Sequence, residues 1–300
     1  MRYEEANLLT GRPWLSDALN STMRSVLLDV VRQNHSCASA ATLGALRRRG
    51  LLDTAGRPTE LGITISMLSM PLREQCERLG LLFEDFQTAA TKTPELYALT
   101  LAHKDGWTGA ACEGGTMLTL LKAASFPALV RFAMAKSHNA NAALAFAANN
   151  YLEAQLVGED VELAADAISN TTSGAIREAF EIIYNGYIVN QYFGLTADLL
   201  VQLFEALGSA TLCRLILALG KAPYKYRKGW PDLTLVRGAE VRFVEVKTTD
   251  RLHGSQLTTI PYVAGIMGSE RFSILQLRAR KKVPHVITES AEWPNKRLDS

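Results

Sequence analysis

The feature that most limits what this chain can fold into lies between residues 232 and 247. Two short β-rich runs, 233–236 and 241–246, flank the turn Arg237-Gly238-Ala239-Glu240. Apolar and β-branched runs separated by a glycine-containing turn of this length predict a hairpin. Alternate residues of a strand share a face, so Glu245 and Lys247 project together while the Val246 side chain turns into the core and leaves its carbonyl free. Asp232 opens the first strand 13 residues before Glu245, a separation that suits two strands and a turn. The hairpin therefore brings two carboxylates and one ammonium to a single face.

That combination has a chemical consequence. Two carboxylates about 4 Å apart repel by roughly 4 kcal/mol at an effective dielectric of about 20, so such a pair favours a cation between them. Hard oxygen donors with phosphate as the remaining partner select Mg²⁺ or Mn²⁺. Lys247 then orients a water and offsets charge at phosphorus, because the two carboxylates oppose the deprotonation that a general base requires. Either fragment alone is common: E-x-K as a surface ion pair, P-D as a turn. Both in order, at hairpin spacing and among Leu233, Leu235, Phe243, Val244 and Val246, point to a catalytic centre.

Around the hairpin the pattern predicts a helix over 255–266 and a further strand over 271–277, with a loose polar tail after 283. Upstream, 67–220 reads as helical almost throughout, with breaks near Thr93-Pro94, Gly114-Gly115, Gly158 and Gly208. Residues 21–66 read as short helices and a Gly/Pro turn that leads into a short strand or a further helix, the order of a winged helix. Arg47 and Arg48, beside Arg49, then face DNA, or equally form the solvated side of a packing helix. The expected organisation is α+β: a winged-helix-like unit over 1–70, a helical domain over 71–205, an α/β core with a small mixed sheet over 206–283, and a tail over 284–300.

The residues Lys228-Gly229-Trp230-Pro231-Asp232-Leu233, then Val244-Glu245-Val246-Lys247 and Asp250-Arg251-Leu252, closely resemble the virus-type replication-repair nuclease (VRR-NUC) module of the PD-(D/E)xK superfamily. Arg227, Gly229, Pro231, Asp232, Glu245, Lys247, Asp250, Leu252 and Gln256 occupy the places of that pattern. The resemblance implies a restriction-endonuclease-like core, Mg²⁺ or Mn²⁺ held by Asp232, Glu245 and the Val246 carbonyl, and DNA as substrate. It also implies that Gln256 touches the active site or the substrate backbone; a plain polar residue at a helix start is the other reading.

The stretch Gly106-Trp107-Thr108-Gly109-Ala110-Ala111-Cys112-Glu113-Gly114 is similar to a segment of the Fanconi-associated nuclease family whose glutamate helps hold metal. That implies Glu113 as a further ligand, with Glu178, Glu181 and Glu205 as competitors for the role. Larger members of that family carry additional DNA-binding and helical-repeat regions that this stretch of 300 residues does not match, so a preference for branched or flapped DNA does not transfer directly.

Composition sets the remaining bounds. Lys and Arg total 32 against 30 Asp and Glu, so the net charge of +2 leaves phosphate binding to local clusters. One comprises Lys221, Lys225, Arg227 and Lys228 interleaved with Tyr224, Tyr226 and Trp230, which offers phosphate contacts and base stacking. The other comprises Arg278, Arg280, Lys281 and Lys282, where a solvated surface is an equal reading. Four separated cysteines indicate neither a zinc site nor a disulfide framework. Neither a secretory leader nor a membrane span is expected, which leads to a cytoplasmic reading.

The chemistry alone is compatible with repair or replication nucleases and with an interbacterial DNase toxin guarded by an immunity protein. A winged-helix DNA-binding regulator with an inactive C-terminal scaffold is the alternative from another class.

Overall fold

The structure, a computed structural model, describes residues 19–33, 38–88, 91–185 and 192–279. The N-terminal unit comprises α1 (Ser21–Gln33), α2 (Ala40–Arg48) and α3 (Glu60–Ser69). These helices close on a small core of their own, made of Leu19, Leu27, Val30, Leu46, Leu51, Leu52 and Ile65. Ser39 caps α2 by accepting from the Thr42 N–H, and Thr59 caps α3 by accepting from the Gly62 N–H, each satisfying one orphan donor of a first turn. Between α2 and α3 the chain closes with one antiparallel bridge, Leu52 to Pro58.

Next come α4 (Leu72–Leu79), β1 (Leu82–Thr88), α5 (Pro94–Lys104) and β2 (Thr108–Ala111). A helical block follows: α6 (Gly115–Ala124), α7 (Phe126–Ser137), α8 (Ala140–Asn149), α9 (Leu152–Leu156), α10 (Val161–Ser169), α11 (Ser173–Tyr184), α12 (Ala197–Leu207) and α13 (Ser209–Gly220). Then β3 (Leu233–Arg237), β4 (Glu240–Lys247), α14 (Gly254–Met267) and β5 (Phe272–Ala279) complete the described chain. No single helix among the described residues is long and apolar enough to cross a membrane.

The five strands form one mixed sheet in the order β1-β5-β4-β3-β2. The centre, β4, runs parallel to β5 and antiparallel to β3, and its hairpin partner begins at the register Leu233 to Val244. One face carries Leu233, Leu235, Val244, Val246, Leu275 and Leu277 against α5 and Trp107. The opposite face carries Val236, Val241, Phe243, Phe272 and Ile274 into the main core with α6, α12, α13 and α14. This is the helical N-terminal part and the mixed-sheet α/β core expected from the sequence.

The expectation of an almost entirely helical 67–220 is corrected by β1 and β2. Both belong to the sheet, as edge strands recruited by β5 and β3. The sheet therefore joins segments on either side of residue 205, and α12 runs through that position. The expected segment end at 283 and the tail over 284–300 lie outside the described residues, as do Arg280, Lys281 and Lys282.

Candidate active site

The hairpin places its charged residues as the alternation of a strand requires. Glu245 and Lys247 leave the same face of β4, and Lys247 Nζ lies 2.8 Å from Glu245 Oε1. Glu245 and Lys247 are 1% and 5% exposed, which makes this a buried ion pair. Val246 between them points into the α5 side of the sheet. Where β3 ends, the Val246 N–H loses a strand partner, and Asp232 Oδ2 accepts it instead at 2.8 Å. The N–H and C=O of one strand residue point to the same side, so the Val246 carbonyl faces the Asp232 edge as well.

Gln256, in the first turn of α14, locks this arrangement from the helix side. Its Oε1 accepts the His253 N–H at 2.9 Å and its Nε2 donates to Glu245 Oε1. Gly229 makes the approach feasible. At φ +82° it adopts a backbone conformation that L side chains rarely adopt, and a Cβ there would lie 2.3 Å from the Ser255 carbonyl carbon and 2.7 Å from the Gln256 nitrogen. The loop before Asp232 consequently rests on the start of α14, held by Thr259 Oγ1 donating to the Lys228 carbonyl at 2.6 Å.

Burial dominates the electrostatics. It pushes the Glu245 carboxyl up to about 8, with the Asp232 charge adding to the effect and Lys247 and Gln256 opposing it. Burial also pushes Asp232 up to about 6, against the Val246 N–H and Lys247, with Glu95 and Glu113 adding their repulsion. For Lys247 burial works against the charged form, but Glu245 and Asp250 outweigh it and raise the pKa, so the ammonium stays protonated. Burial likewise disfavours ionised Asp250, yet Lys247 at 3.2 Å pulls its pKa below the ordinary value.

One atom remains unserved: Glu245 Oε2 is buried and has no hydrogen-bond partner. A buried carboxylate oxygen without a donor is costly to keep ionised. Two carboxylates and a backbone carbonyl at one strand end form the hard oxygen donor set that Mg²⁺ accepts alongside substrate phosphate. The residues present thus fit a divalent ion. Among the described residues no group of three His, Cys, Asp or Glu side chains converges closely enough to hold a metal. The expected set of Asp232, Glu245 and Glu113 is therefore not assembled as a three-acid cluster.

Glu113 nevertheless stands beside Asp232. Its N–H donates to the Asp232 carbonyl at 3.2 Å, and both residues line one cleft of about 590 Å³. It is held at φ +48°, an uncommon conformation for a residue with a side chain, at the corner where β2 turns into α6. The next residue, Gly114, lies so close to Trp230 that a Cβ would come within 2.6 Å of the indole ring. The corner is thus fixed onto the loop that carries Asp232. Glu178, Glu181 and Glu205 do not line this cleft, and Glu205 accepts a hydrogen bond from Ser173 instead.

The basic residues divide. Arg227 is exposed and lines the cleft with Asp232, and Lys228 is exposed beside it. Lys225 is half-buried, its ammonium 5.2 Å from the Tyr226 ring centroid. Arg47 and Arg48 are exposed at the end of α2 in the N-terminal unit. Arg278 pairs with Asp85 at 3.0 Å. The expectation that Tyr226 and Trp230 stack on a base is corrected: both are buried, Tyr226 stacked on Tyr262 at 3.8 Å and Trp230 donating to the Tyr226 carbonyl. Tyr224 alone of the three is exposed.

Sequence reasoning missed Glu95, Tyr151, Glu153 and Tyr192, all of which line the cleft. The Thr-Pro-Glu start of α5 signals a helix N-terminus but not what that terminus faces.

Two crystal structures of paFAN1 share a similar arrangement of elements. One, bound to DNA with a 2-nucleotide 5′ flap and a gap, aligns with a TM-score of 0.49 at 16% identity over 87% of this chain and 49% of that one. The other, bound to DNA with a 1-nucleotide 5′ flap and a gap, aligns with a TM-score of 0.48 at 17% identity over 93% of this chain and 56% of that one. This chain thus spans about half the length of the structures it matches. No family model and no curated protein matches it.

Proposed function

We propose that this chain is a Mg²⁺- or Mn²⁺-dependent DNA endonuclease that hydrolyses phosphodiester bonds. The observation that carries the reading is the buried Glu245, with one oxygen on Lys247 and Gln256 and the other without a partner, beside an Asp232 that repels it. Such a centre is unfavourable on its own and is relieved by a divalent cation.

Asp232, Glu245 and the Val246 carbonyl would hold the ion, with Glu113 approaching from the cleft. When bound, the ion supplies Lewis-acid polarisation of the phosphate and lowers the pKa of a coordinated water. Gln256 fixes the Glu245 rotamer and so the direction of its free oxygen. Lys247, kept protonated by its acidic neighbours, orients the attacking water by hydrogen bonding and offsets the charge that grows at phosphorus. Arg227, Lys228 and Lys225 hold the backbone near the cleft, and Arg47 and Arg48 grip duplex further away.

The test is cleavage of 5′-flapped, nicked and linear DNA by the purified chain in Mn²⁺, beside Asp232→Asn and Lys247→Met. Cutting by the wild type and by neither variant is expected. A folded wild type that cuts none of the three substrates, or variants that cut equally well, would overturn the reading.

A further inference from the structure

The cleft that Asp232 shares with Glu113 extends over residues that hydrolysis does not use. Glu153, on α9, is only 7% exposed, yet it lines the cleft together with Tyr151, Tyr192, Leu96 and Leu118. Its carboxylate accepts no hydrogen bond among the described residues. The nearby buried Lys122 is within electrostatic reach, but its ammonium donates at 2.6 and 2.7 Å to the carbonyls of Ala148 and Asn150. A buried acid with a charged neighbour and no donor is held ready for a ligand that brings N–H groups.

The walls narrow the class of ligand. Tyr151 is 54% exposed and lines the cleft with its aromatic ring. Tyr192 is held in place from behind: a Cβ on Gly115 would lie 2.9 Å from its ring. Arg227 lines the same cleft and supplies a phosphate partner. The volume of about 590 Å³ lies within the range of pockets that seat small organic ligands. A planar group with apolar faces for tyrosine, N–H donors along one edge for a carboxylate, and a phosphate attached describes a nucleotide. Unpaired bases are recognised by this combination of aromatic stacking and edge hydrogen bonds.

We propose that this cleft seats an unpaired nucleobase of the DNA next to the scissile phosphate, with Glu153 reading its edge and Tyr151 and Tyr192 contacting its faces. Guanine is favoured, because its N1–H and N2–H groups offer two adjacent donors to the two carboxylate oxygens. Cytosine follows with one amino group, and thymine, whose single N3–H donor lies between two carbonyl acceptors that a carboxylate repels, is disfavoured. The proposal rests on the nuclease reading above.

The test is fluorescence anisotropy in Ca²⁺, without turnover, on flapped duplexes identical except for one unpaired nucleotide: dG, dC, dT or an abasic site. The wild type is expected to bind the dG substrate about tenfold more tightly than the dT or abasic ones, the discrimination typical of a bidentate base contact. Glu153→Gln should cancel the guanine preference while leaving abasic DNA bound as before. Tyr151→Ala, at a half-exposed position, should weaken all three bases relative to the abasic duplex.

Equal affinity across the series, or a Glu153→Gln protein that keeps the guanine preference, overturns the proposal. Base preference in Ca²⁺ without cutting in Mn²⁺ sustains the pocket and removes the nuclease. Cutting without base preference does the reverse, and absence of DNA binding removes both.

Discussion

The two faces of the central sheet are built from alternate residues of the same strands and have opposite characters. On the α5 side, β3, β4 and β5 present Leu233, Leu235, Val244, Val246, Leu275 and Leu277, an apolar layer flanked by Arg242 of β4 and Glu84 of β1. One residue out of phase, the other side begins with Val241 and Phe243 and then changes to Glu245 and Lys247, both as deeply buried as their apolar neighbours. The first face follows the hydrophobic effect. The second departs from it at the strand ends, where buried charge is costly unless something offsets it. The contrast separates two roles: the α5 face holds the sheet together, and the α14 face holds buried charged groups that stability alone does not explain.

The largest effect is expected at Asp232. Its amide counterpart can still accept the Val246 N–H, so Asp232→Asn should leave the hairpin intact while reducing Mn²⁺-dependent cleavage by about 10³-fold or more. Its melting temperature at pH 8 should rise, because the repulsion on Glu245 is gone; activity and stability thus move in opposite directions. A parallel loss of both, measured by steady-state cleavage and thermal melting, would show that Asp232 is structural.

The α5 face should show the inverse. Leu275→Ala removes buried side-chain atoms and should lower stability by about 2–5 kcal/mol in chemical denaturation, with kcat per folded molecule unchanged. A loss of kcat at full occupancy of the folded state would mean that the two faces are not separable. A smaller effect is expected at Gln256, which acts through Glu245. Gln256→Ala should raise the Mn²⁺ concentration for half-maximal activity by about 10- to 100-fold and change KM for DNA little. Restoration by excess Mn²⁺ separates this positioning role from damage to the helix.

Much of the α14 face was legible in the sequence because its determinants are local. The period of two along 241–247 sets which residues share a side, and the short turn sets the distance from Asp232 to Glu245. What lay out of reach depends on contacts across long separations. β2 is the small-residue segment Thr108–Ala111, a strand only because β3 lies beside it. β1 carries Glu84 and Asp85 in mid-strand and owes its state to pairing with β5, nearly 200 positions later. Glu95 and Glu153 face the cleft because β2 and the helical block fold back over the hairpin, and no motif marks them. Trp230 reads as a stacking platform beside basic residues, but its burial under Gly114 follows from tertiary packing alone.

A buried acidic centre that binds a divalent ion is tested by the melting temperature of the metal-free chain between pH 5 and 9, repeated with Mn²⁺. Asp232 and Glu245 are raised in the folded state to about 6 and about 8, above the ordinary values of 3.8 and 4.5. The native state therefore binds more protons than the unfolded chain in this window. Their stabilising contribution is fully present only below the ordinary values and is lost as pH rises through 6 and then 8, a change on the order of a few kcal/mol. The metal-free melting temperature should fall toward pH 9. Mn²⁺, which binds the ionised carboxylates, should restore more at pH 8 than at pH 6, and Asp232→Asn should flatten both trends. A melting temperature that rises with pH, or that ignores Mn²⁺ throughout, would contradict a buried acidic centre built for a divalent ion.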